Sequence, residues 1–345
     1  MAGLAATETT IPHVPVLTGV TRARFEQEIV PAGRPVMLRG LVASWPIVAA
    51  ASRSDEALAG YLVARPATQP VNTWFIEPAL RGRFGYAQDM RGFNHERRVV
   101  PIADLLDYLI EHRGDAAAFT AYAGGIPITS TLPGLRDDLP MPLLDQARDM
   151  LVSLWLGGQA HTAAHWDVPQ NLACVVAGRR RFTLFPTDQV QNLYIGPLDH
   201  TLAGQPTSLV DVAAPDFDRF PRFRDALATA ELAELSPGDA LYLPSLWWHH
   251  VESLDPVGAM INFWWRDGPD WMITPLFTLF HALLTLRDLP ENERAAWRTF
   301  FDHYIFQRNG DPMAHLPPDA RGVFGDLTAD VRQRLKAFLI GPLQP

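Results

Sequence analysis

Between about residues 120 and 266 the chain is a succession of short apolar runs, each closed by a turn signal. Residues 151–156, 171–176, 180–185, 208–212, 240–243, 249–254 and 259–264 are rich in β-branched, aromatic and leucine residues. Gly157-Gly158, Ala177-Gly178, Phe185-Pro186, Pro237-Gly238-Asp239 and Asp255-Pro256 punctuate them. Many short strands with regular turns predict a barrel or sandwich and argue against alternating βαβ units. Residues 219–235 read as one helical insertion within this core, which is bounded at 121–266.

The flanks have a different texture. Residues 1–120 mix short strands with helical patches and read as a mixed α/β extension that packs on the barrel. Residues 34–40 form a short strand ending at Gly40, Trp45-Pro46 marks a turn, and 101–110 carry apolar positions at helical spacing. Residues 267–345 are helical: 271–286 are apolar on nearly every face, 291–306 are amphipathic, and 330–340 give a third helix. A helix apolar all round must be buried, under the barrel or against a second chain. Homodimerisation through 271–306 therefore competes with packing inside the chain.

Composition narrows the function classes. With 48% apolar and 19% charged residues the 345-residue chain is globular. A formal charge of -9 and no basic block argue against a nucleic-acid partner. The single cysteine, Cys174, lies in an apolar run and excludes a disulfide framework within the chain. The opening MAGLAATETTIPHVPVL lacks a basic segment ahead of an apolar core, the run 247–265 is broken by Glu252, Ser253 and Asp255, and 272–286 is too short to span a bilayer. A cytoplasmic protein without a membrane segment is the expectation. Lys336 is the only lysine, so an internal cation that grips an acid has to be arginine.

One constellation carries chemistry. In extended backbone, residues two apart share a side, so the His165 imidazole and the Asp167 carboxylate converge while Trp166 faces away. A third ligand is offered by the segment 241–250, LYLPSLWWHH, just after the Gly238-Asp239 turn; spacing does not choose between His249 and His250. Two histidines and a carboxylate on one face of iron leave positions open for oxygen and an organic cosubstrate. Zinc competes, because hydrolytic zinc sites use the same donors. His161 and His165 would share a helix face, but Gly157-Gly158 and the β-prone run argue against a helix, so His161 is read as a neighbour of the site or a surface residue.

HWDVPQNLACVVAGRRRFTLFPTD from His165, PGDALYLPSLWWHH from Pro237 and INFWW from Ile261 together closely resemble the Jumonji-C-like cupin proteins, strongly over about 145–266 and more loosely over the N-terminal third. The resemblance implies a mainly β fold, a double-stranded β-helix or jelly-roll core with helical N-terminal and C-terminal extensions. It implies Fe(II), with 2-oxoglutarate as cosubstrate consumed together with oxygen. It assigns the metal to His165, Asp167 and His249, and makes His250 the outward-facing neighbour. The family lysine that grips the distal carboxylate of 2-oxoglutarate falls on Arg180, a departure that keeps the cation and allows a bidentate grip. Thr162 matches a threonine that assists the same carboxylate, and Tyr122 supplies another hydroxyl. Asn171 and Asn262 match polar residues lining the cosubstrate site, and Trp264 an aromatic wall near the metal. The implied reaction yields succinate, carbon dioxide and a hydroxylated protein side chain or small molecule. Trp166, Trp247, Trp248, Trp264 and Trp265 are expected to make the mouth aromatic. A non-enzymatic cupin that binds a partner, and a zinc or manganese cupin enzyme without 2-oxoglutarate, are the alternatives.

Overall fold

Side-chain alternation decides the architecture. The computed structural model describes residues 11–145, 149–201 and 204–341. Residues 1–10, where the segment read above as lacking a leader begins, lie outside the described residues. The strands are β1 (Val16–Leu17), β2 (Val36–Leu38), β3 (Val71–Ile76), β4 (His95–Val100), β5 (Thr120–Pro127), β6 (Leu151–Gly157), β7 (His161–His165), β8 (Gln170–Ala177), β9 (Arg180–Phe185), β10 (Glu231–Leu235), β11 (Ala240–Leu243), β12 (Trp248–Ser253) and β13 (Gly258–Trp265). A nine-stranded sheet runs β1-β2-β11-β8-β13-β6-β5-β3-β4, and a four-stranded sheet runs β10-β9-β12-β7. From β6 onward nearly every connection crosses from one sheet to the other, the winding of a double-stranded β-helix.

Along β8, Leu172, Cys174 and Val176 face a core under the helices, while Ala173 and Val175 face the space between the sheets. β11 repeats this with Ala240 and Tyr242 outward against Leu241 and Leu243 inward. The strands are apolar on both faces because each face has a cover, so they read as continuous apolar runs. Helices Asp55–Val63 and Ile102–Glu111 supply Leu58, Leu62, Leu105 and Leu109 to the outer core. Residues before 120 also extend the large sheet itself, through β1 to β4.

Three local expectations are corrected. The insertion at 219–235 is helical only over Phe223–Ala228; Glu231–Leu235 is β10, paired with β9 from Glu231↔Leu184 to Leu235↔Arg180. Five residues are too few for sequence periodicity to separate helix from strand; burial of Ala233 and Leu235 between the sheets, with Glu234 paired to Arg181, decides it. Residues 208–212 form no strand beyond the bridge Ser208↔Ile195. Pro46 opens helix Pro46–Ala51, at a position where its missing N–H leaves no bond unmade.

The Pro237-Gly238-Asp239 turn feeds β11. Gly238 has φ 98°, which a side chain rarely adopts. The Asp239 carboxylate accepts from the Gly40 and Ser236 N–H groups at 2.9 and 3.1 Å and from Arg39 at 3.2 Å.

The chain divides into two compact units, residues 1–269 and 270–345. The second contains helices Leu276–Thr285, Glu291–Tyr304 and Ala329–Ile340. Neither of its first two helices holds a buried residue, and Leu284 is 76% exposed. Among the described residues no helix is long and apolar enough to cross a membrane.

Candidate metal centre

His165 ends β7 and lies directly across from His249 on β12, their ring centroids 4.1 Å apart. Asp167 follows two residues on, its Oδ2 3.7 Å from His249 Nε2. One ligand atom from each of the three lies within 4.8 Å of the others. Both imidazoles are oriented by their own strands: His165 Nδ1 donates to the Ala163 carbonyl at 2.9 Å and His249 Nδ1 to the Trp247 carbonyl at 3.0 Å. Those partners assign the protons to Nδ1 and leave Nε2 lone pairs for a metal. Burial drives His249 well below the usual imidazole range, with His165 adding to the effect, and pushes the Asp167 carboxyl up against the opposing pull of His165. A bound cation reverses that penalty for the carboxylate and takes the imidazole lone pair.

A bulge completes the inner face. His249 pairs with His165 and Val251 with Thr162, so β7 carries one extra residue between the two pairs. Thr162 therefore turns inward beside Val251 although it stands three residues from His165. A regular strand would face it away.

Arg180 points inward from β9 by the same alternation that places Phe182 and Leu184 between the sheets. It is 1% exposed. Its Nη1 donates to the Tyr122 hydroxyl at 3.2 Å, while Nε and Nη2 have no partner. A buried guanidinium with unmet donors is costly, and a carboxylate presented edge-on would satisfy it bidentately. Tyr122 lies tight against Gly157, where a Cβ would collide with the Tyr122 ring and sit 2.8 Å from the Ala121 oxygen. Asn262 Nδ2 donates to Asn171 Oδ1 at 2.9 Å. The Asn262 Oδ1, Ser153 Oγ, Trp155 Nε1 and Trp264 Nε1 atoms are buried without partners, as expected where a polar ligand belongs. Ser153 and Trp155 were not singled out in the sequence, although they alternate with the core residues of β6 and so face the same space.

The aromatic wall differs from the expected one. Trp264 meets Trp155 edge to face at 5.8 Å, and ring contacts continue through Tyr122 at 6.3 Å to Phe84 at 5.3 Å and Trp74 at 5.1 Å. Trp247 instead fills the inter-sheet core and donates to the Gly33 carbonyl. Trp166 and Trp248 pack together in a core cluster with Phe185 and Phe223, and Trp265 stacks with Tyr242 under the helices. The adjacent residues of a WW pair go to opposite faces, which composition does not reveal.

His250 faces the other side of the small sheet, where it joins His161 and Glu252, again with one ligand atom each within 4.8 Å. Sequence spacing alone makes His161 a neighbour of the site or a surface residue and gives Glu252 no ligand role. The signal was there: His250-Val251-Glu252 is itself a donor pair at strand spacing.

A double-stranded β-helix whose inner wall brings two histidines and a carboxylate together, in the same interior as a buried unsatisfied cation, defines a cupin with a candidate metal centre. The chain belongs to the Cupin-like domain family, whose model matches residues 22–271. It is 25% identical over 280 residues to Lysine-specific demethylase JMJ31 of Arabidopsis thaliana, covering 72% of this chain and 49% of that protein. It is 42% identical over 148 residues to human HSPB1-associated protein 1, covering 41% of this chain and 30% of that protein. To mouse tRNA wybutosine-synthesizing protein 5 it is 26% identical over 313 residues, 81% of this chain and 91% of that protein. The chain thus spans about half or less of the first two relatives. These matches bear out the Jumonji-C-like resemblance read from the motifs.

Proposed function

We propose that the protein is an Fe(II)- and 2-oxoglutarate-dependent oxygenase that hydroxylates a protein side chain or a small molecule. The observation that carries this reading is Arg180, a buried cation with two unmet donors in the same interior as His165, Asp167 and His249. A zinc or manganese cupin doing hydrolysis has no use for such a group, and a vestigial barrel has no reason to keep it unsatisfied. His165, Asp167 and His249 would hold the iron, and Arg180 with Tyr122 and Thr162 would take the distal carboxylate of 2-oxoglutarate. Iron bound there supplies the oxidative chemistry, in which 2-oxoglutarate and oxygen become succinate, carbon dioxide and an oxygen atom inserted into a substrate C–H bond. The protein's part is to fix the cosubstrate and keep water from the inner face with Trp155 and Trp264. Two relatives are named for lysine demethylation and for tRNA wybutosine synthesis, which are different substrates. The charge of -9 favours a substrate other than a nucleic acid.

Calorimetry with Mn(II) in place of iron should show 2-oxoglutarate binding, and Fe(II) in air should give slow succinate release even without substrate. Neither signal from folded protein would end this reading.

Helices Leu276–Thr285 and Glu291–Tyr304 expose Phe277, Leu279, Leu284, Trp297 and Phe300. An apolar surface of this kind favours association, and we propose a second copy of the chain as its cover. Sedimentation should give a dimer that Leu284→Glu with Phe300→Glu converts to a folded monomer. A monomeric unmutated protein at micromolar concentration would exclude it.

A further inference from the structure

The outer face of the small sheet repeats the inner donor pattern in reverse. On the inside β7 and its extension give the pair two residues apart, His165 and Asp167, and β12 gives His249. On the outside β12 gives the pair, His250 and Glu252, and β7 gives His161, directly across from Glu252. His161 Nδ1 lies 3.7 Å from Glu252 Oε1, and the His161 and His250 rings are 6.2 Å apart. Edges between donors of a tetrahedral zinc are about 3.3 Å, given bonds near 2.0 Å. The observed spacing, within 4.8 Å for all three, needs only small side-chain rotations.

His250 is the second observation. It is 3% exposed, and its ring has no well-formed hydrogen bond, the Thr162 backbone being its one nearby polar partner. A buried imidazole with at least one nitrogen unmet calls for a ligand. The neighbouring cations do not fill that role: Arg181 is engaged by Glu234 at 2.6 Å and stays 3.7 Å from Glu252, and Arg83 is engaged by Asp211 at 3.1 Å. His161, with a side chain 30% exposed, gives a route in from solvent.

We propose that His161, His250 and Glu252 form a second metal site, for a zinc-class divalent cation, that clamps β7 to β12. Two imidazoles and one carboxylate suit zinc better than magnesium or calcium, which take oxygen ligands. The clamp ties together the two strands that carry His165 and His249. It is independent of the oxygenase reading, since none of its ligands faces the inner cavity.

The probe is Zn(II) alone, added to chelator-stripped full-length protein. Equilibrium dialysis should give two equivalents for the unmutated chain and one for His161→Ala, whose side chain contributes nothing to the core. The double variant His165→Ala/Asp167→Ala should still bind one equivalent and gain thermal stability from it. Glu252→Gln in that background should weaken binding by about 10-fold or more. One equivalent in the unmutated chain that His161→Ala leaves in place would overturn the proposal, and so would a folded double variant that binds none.

Discussion

Replacing Arg180 with methionine should weaken 2-oxoglutarate binding by about 30-fold or more, the result of truncating one partner of a buried charge pair at ~2 kcal/mol or above. Metal binding should survive, because Arg180 supplies no ligand atom. Methionine fills a similar volume without a charge, and the ligand-free protein carries the cost of two unmet guanidinium donors. The melting temperature of the ligand-free variant should therefore equal or exceed that of the parent. A merely structural arginine predicts the reverse pattern, lowered stability with unchanged 2-oxoglutarate affinity. Arg180→Lys should fall between, since an ammonium keeps the charge and loses the fork. Titration of the Mn(II)-loaded proteins separates these outcomes.

The second large effect is on the metal. Asp167→Ala and His165→Ala should each weaken Fe(II) or Mn(II) binding by more than the 10- to 100-fold typical of outer partners, and abolish succinate release. Asp167 resists ionisation through burial, so its removal should leave the metal-free melting temperature unchanged or raised while removing the share of the metal-induced rise that comes from this triad. Thermal melts with and without Mn(II) read both quantities on one sample. Succinate release retained in Asp167→Ala would remove this triad from consideration.

Much of this was legible because turn chemistry and strand chemistry coincide. The run 180–185 is bounded by Gly178 and Pro186, and β9 spans Arg180–Phe185. With Lys336 the sole lysine, an internal cation has to be arginine, and the Jumonji-C-like motifs place it at Arg180. What stayed hidden depends on partners distant in sequence. β10 is a strand because β9 is beside it, and Thr162 faces inward because of an extra residue in β7 relative to β12. His249 and His250 are chemically identical neighbours, and only their register against His165 and His161 tells them apart. The helices after residue 270 show that an apolar sequence predicts a need for cover without saying what provides it.

The turn between β11 and β12 sets that register. Leu246 adopts φ 66°, in the left-handed region, and its N–H donates to the Asp167 carbonyl at 2.9 Å. The loop is therefore measured against the very ligand it helps to complete. Losing one residue there would shift the frame of β12 so that His250 takes the place of His249 and Glu252 turns inward with it, whereas gaining one would put Trp248 in that place. The length of this loop is thus part of the ligand set: the loss of a single codon would hand the inner place from one histidine to the next without altering either.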